Sequence, residues 1–120
     1  MEDLKIILAF IWVATMLIYL LGDVLRIFTG DFKPGKVEGK PISHKMYFGM
    51  AIIMVIPIVM VVLSVILEFP VNSWVNIIVV IFFFGFNLIG IKGYKAYDIF
   101  LLIVSFFFNG LTIWYAWTGL

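Results

Sequence analysis

Apolar residues run along this chain in four long, unbroken stretches, at about 4–29, 43–67, 71–91 and 94–118. About 20 apolar residues with few charges are what a helix needs to cross the hydrocarbon core of a bilayer. The runs are continuous and do not alternate with a period of two, which argues against the strands of a transmembrane barrel. They predict four transmembrane helices. Two of the links, EFPVN (68–72) and KGY (92–94), are very short. Short links force consecutive helices to pack antiparallel. The expected fold is an all-α integral membrane protein, one domain over 1–120 built as an up-down-up-down four-helix transmembrane bundle. The remaining connector, GDFKPGKVEGKPIS (30–43), carries Gly, Pro and charges and reads as a polar loop. Asp31 and Glu38 interrupt its lysines, which weakens a polybasic, lipid-headgroup role.

Composition agrees with the pattern. Of the 120 residues 65% are hydrophobic and 12% charged, and the mean hydropathy is +1.22. Soluble domains average about 45–50% apolar and about 25% charged. No stretch is left over for a soluble domain. The first run is expected to be a retained helix. It opens on MEDLK, is longer than a signal peptide's apolar region, and carries Asp23 and Arg26 where a cleavage site would fall. Cysteine is absent, which excludes disulfides and thiolate chemistry. The net charge is +1 and no basic groove is visible, so nucleic acid is not an expected partner.

The charges set an orientation. Arg26, Lys33, Lys36, Lys40, Lys45, Lys92 and Lys95 fall on the side of the first and third loops, and Lys5 alone falls on the other, 7 against 1. The positive-inside rule places the loops at 30–43 and 91–94 in the cytoplasm and both termini outside, in a cell (inner) membrane. Trp74, Trp114 and Trp117 near the outer ends, with Tyr47, Tyr94 and Tyr97 near the inner ends, fit interfacial belts.

Polar residues lie in stripes. On helix one, Trp12, Thr15, Tyr19, Asp23 and Arg26 step by 3, 4, 4 and 3, one continuous face. On helix three, Asn76 and Asn87 are 11 residues apart, about three turns. On helix four, Asp98, Ser105, Asn109 and Thr112 step by 7, 4 and 3. Helix two offers only Met50, Pro57 and Ser64, and Pro57 removes a backbone donor. Lipid cannot satisfy polar groups, so the stripes should face protein. Depth, at about 1.5 Å per residue, puts Asp23, Arg26, Asn87 and Asp98 at one level toward the cytoplasmic leaflet. They are expected to form one polar cluster, with Arg26 bridging Asp23 and Asp98. Trp12, Asn76, Asn109 and Thr112 form an expected outer polar layer, read plainly as interhelical hydrogen bonding. Gly85, Gly90 and Gly110 are expected to permit close helix approach.

Signatures of catalysis are missing. His44 is the lone histidine, at the start of helix two, with no ligand-spaced carboxylate beside it. No GxSxG, Gly-rich phosphate loop or HExxH pattern occurs. No catalytic residue, metal ligand or cofactor is expected.

The runs LGDVLRIF (21–28), MVIPIVMVVLS (54–64), NSWVNIIV (72–79) and TIWYAW (112–117) together resemble a small prokaryotic four-helix membrane family of unknown function. The resemblance covers almost the whole chain. It implies the four-helix fold and carries no activity with it.

Three functions fit these features. The first is transport or binding of a small solute or ion by an oligomer, the polar stripes lining the path. The second is a scaffold, or a lipid- or quinone-binding protein, whose polar residues lock the helices. An intramembrane enzyme acting on a lipid or quinone comes third. The expected partners are the bilayer, a second copy of the chain, and a small molecule or lipid.

Overall fold

The computed structural model describes residues 2–30, 36–37, 40–41, 43–89 and 95–120. Four helices are present: α1 (Glu2–Thr29), α2 (His44–Ile66), α3 (Val71–Ile89) and α4 (Ala96–Thr118). A two-residue antiparallel pairing of β1 (Lys36–Val37) with β2 (Lys40–Pro41) lies inside the first connector. Residues 31–35 (Lys33 among them), 38–39 and 42 of that connector, Gly90, and the link at 91–94 with Lys92 and Tyr94 lie outside the described residues.

Local chemistry sets the helix ends. α1 stops at Gly30, which adopts φ 81°, and the Gly30 N–H donates to the Ile27 carbonyl at 3.2 Å. A left-handed residue there suits glycine, which has no Cβ to clash. α2 begins at Ser43, whose Oγ accepts the Met46 N–H at 3.2 Å, the ordinary N-cap bond. Asp98, in the first turn of α4, accepts the Lys95 N–H at 3.4 Å. Pro57 sits inside an uninterrupted α2. Its missing N–H leaves the Ile53 carbonyl without its usual helical donor.

The helices run up-down-up-down. α1 packs against both α2 and α4, and α4 packs against α3, whereas α2 and α3 are the least closely packed neighbours in the bundle. One end carries Lys5 Nζ bonded to Glu68 Oε1 at 2.9 Å, and Gly119 against Phe69 and Ser73. We call it the terminal end. The opposite, loop end carries Arg26 against Asp98, and Thr29 Oγ1 3.0 Å from Tyr97 Oη.

All four helices are long and apolar enough to cross a membrane. Large apolar side chains, among them Phe10, Phe28, Phe48, Ile89 and Trp114, stand exposed around the bundle. Among the described residues ten polar or charged ones are buried against nine hydrophobic ones, so the interior is no ordinary oily core. Its apolar centre is Trp12, Met60, Val80 and Phe83. On α2 the buried residues are Pro57, Met60 and Ser64. Met50 is exposed and lies off this stripe.

The expectation for the glycines needs correcting. A Cβ at Gly85 or Gly110 would meet nothing within 4 Å, so neither marks a close helix approach. The helices are rotated so that these two positions face open space. Close approach occurs instead at Gly119.

Candidate functional site

The two halves of the interior are built differently. In the terminal half, Trp12 Nε1 donates to Asn76 Oδ1 at 2.6 Å, and Ser64 Oγ reaches the same oxygen at 3.4 Å. Asn76 Nδ2 donates to the Asn72 carbonyl and to Asn72 Oδ1, at 2.9 and 2.6 Å. Asn72 Nδ2 in turn donates to the Ser64 and Leu67 carbonyls at 2.8 and 3.0 Å. Carbonyls in the last turn of a helix lack intrahelical donors, and the Asn72 amide supplies one. This chain of bonds ties α1, α2 and α3 together. With Met60 and Val80 beside it, the network closes the terminal half.

The expected outer layer is thus brought together only in part. Trp12 and Asn76 meet. Thr112 Oγ1 donates to the Phe108 carbonyl of its own helix at 3.1 Å. Asn109 is buried, and its Nδ2 has no hydrogen-bond partner among the described residues, as is also true of Ser73 Oγ. Asn72 and Ser64 carry much of the network, and Asn72 lies one turn before Asn76 on the same face of α3. The signal that could have found it is this four-residue spacing, with Asn72 the second residue of α3 and within reach of the end of α2.

In the loop half, Arg26 Nε donates to Asp98 Oδ1 at 2.8 Å, and Arg26 Nη1 lies 3.8 Å from Asp23 Oδ1. Asp98 is buried and uses both carboxylate oxygens, one for Arg26 and one for the Lys95 N–H. A buried carboxylate needs such partners. Asp23 is different. Its side chain is 53% exposed, and its ion pair with Arg26 is too long for a hydrogen bond. Asn87 joins neither carboxylate. Its Nδ2 donates to Tyr19 Oη at 3.0 Å, linking α3 to α1.

These residues surround a cavity of about 150 Å³. Its polar lining is formed by Tyr19, Asp23, Arg26, Asn87, Asp98 and Ser105. Its apolar lining includes Ile53 and Met54 from α2 and Phe83 and Phe86 from α3, the two helices that pack together least. Gly22 lines the floor, where an added Cβ would sit 3.6 Å from Leu101 Cδ1, an ordinary contact. The volume matters. A cavity of about 150 Å³ lined by apolar side chains is known to admit benzene. Among the described residues no group of three or more His, Asp or Glu is placed to hold a metal ion.

Four membrane-crossing helices around a half-polar cavity define a small multi-pass membrane protein with a polar interior. The chain belongs to the DUF6326 family, a family of unknown function whose model matches residues 1–118. No curated protein and no solved structure matches it.

Proposed function

We propose that the protein binds a small molecule within the membrane, in the cavity at the loop end of the bundle. One observation carries this reading: the interior is closed and hydrogen-bonded in its terminal half, yet open beside Asp23 and Arg26 in its loop half. A scaffold whose polar residues only lock helices would be expected to close at both ends. Small-molecule sites combine an apolar lining with a few convergent polar groups, and the cavity has both. The lysine and arginine count favours the loop end facing the cytoplasm and both termini facing outward. Binding needs one copy of the chain. Transport, the second reading, needs the closed terminal half to open, and an assembly of copies is the simplest way to provide a path.

Native mass spectrometry of protein released from a mild detergent tests the reading. The wild type should retain a small molecule, and Gly22→Ala and Ser105→Leu, which add carbon to the cavity, should retain less while unfolding no more readily. Equal retention by all three proteins would place the retained molecule on the outer surface and overturn the proposal.

A further inference from the structure

We infer that the ligand class of this cavity is a small organic cation, a protonated amine on an aromatic or branched apolar body. The inference rests on the binding reading above and adds the charge and donor pattern of the ligand. It starts from a count of charges in the polar lining. Arg26 contributes one positive charge, and Asp23 and Asp98 contribute two negative ones. The short bond, 2.8 Å, commits Arg26 to the buried Asp98, so that pair is internally neutral. Asp23 carries the remainder. It sits at the cavity edge with one 3.8 Å contact to Arg26 and spare acceptor capacity on its carboxylate.

Hydrogen-bonding capacity points the same way. Ser105 Oγ spends its proton on the Leu102 carbonyl at 2.7 Å, which leaves its lone pairs for an incoming donor. Asp98, by contrast, is buried and already accepts at both oxygens, which leaves Asp23 the more available carboxylate. The cavity therefore holds surplus acceptors and one surplus negative charge. An ammonium group offers three N–H donors and one positive charge. An anion would have to share Arg26 with the buried Asp98 and sit beside the Asp23 carboxylate, a like charge.

The apolar lining completes the fit. Phe83 and Phe86 line the cavity together with Tyr19, whose ring packs 5.8 Å from that of Phe83, and aromatic faces attract a nearby cation. Both phenylalanines and the α2 residues Ile53 and Met54 border the gap between α2 and α3, where the helices pack least. An amphiphilic amine partitioned into the bilayer would enter through this gap, head first toward Asp23.

Three probes of one size separate the cases: benzylammonium, benzyl alcohol and benzoate, each tritiated and equilibrated with the full chain in nanodiscs. Wild type should bind benzylammonium at least about tenfold more tightly than benzyl alcohol, and benzoate least, a step of about 1.4 kcal/mol per decade. Asp23→Asn should bring benzylammonium binding down to the level of benzyl alcohol, and an unchanged midpoint of unfolding by SDS shows that the variant is folded. Equal binding of all three probes would overturn the cation inference and leave the binding reading standing. Preference for benzoate would overturn it too, making Arg26 the receptor. No saturable binding of any probe, with Gly22→Ala indistinguishable from wild type, would bring down both.

Discussion

At Gly119 a methyl group would sit 2.5 Å from the Phe69 ring and 2.6 Å from Ser73 Oγ, closer than real carbons come. Gly119→Ala should therefore destabilise the fold by about 1–3 kcal/mol, the usual cost of overpacking. Gly85→Ala and Gly110→Ala, which meet open space within helices, should be neutral or stabilising by up to about 1 kcal/mol, because alanine orders more cheaply in a helix. Unfolding by SDS in detergent micelles, followed by tryptophan fluorescence, checks the opposite signs. The two interior asparagines should also differ in sign. Asn76→Leu strands the Trp12 N–H and should cost about 1–3 kcal/mol, whereas Asn109→Leu removes a donor that has no partner and should cost nothing or stabilise. The two residues look alike in sequence, each an amide on an apolar helix. Their difference lies in what faces them, and one residue's spacing along its own helix does not report that.

Between elements, Arg26 with Asp98 joins α1 to α4 at the loop end, beside the Thr29–Tyr97 contact. Arg26→Met leaves a buried carboxylate without its cation and should destabilise by about 3 kcal/mol, at the low end for buried pairs because Arg26 is one-third exposed. Asp23→Asn, which weakens only a half-exposed 3.8 Å contact, should cost less than about 1 kcal/mol. The same SDS titration ranks them, and equal losses would mean that the cluster shares its load evenly. The helices themselves were legible in the sequence because bilayer thickness imposes a run length that nothing in a soluble fold mimics. Stripe spacing also drew Arg26, Asp23 and Asp98 to one level. Where Asn87 would turn was not legible: its partner, the Tyr19 hydroxyl, belongs to the same helix-one stripe as Asp23 and Arg26. Nor was the role of Asn72, whose bonds run to backbone carbonyls that any residue type would present.

For the molecule as a whole, orientation is the first thing to measure, and the absence of cysteine makes it direct. A single thiol introduced by Leu120→Cys should react with a membrane-impermeant maleimide on intact cells, and one introduced by Ser43→Cys only after the membrane is opened. The reverse pattern would turn the bundle over and put the cavity in the outer leaflet. The cavity itself could not have been read from the chain, since it depends on how far α2 stands from α3, and hydropathy is blind to the distance between two apolar surfaces. That distance has a consequence of its own. Because the helix pair that packs least also lines the chamber, the acyl chains of a host bilayer would complete that side of the wall. Chain length and unsaturation in the host lipid then set the effective size of the chamber. The same polypeptide, reconstituted in two different membranes, would present two different vessels.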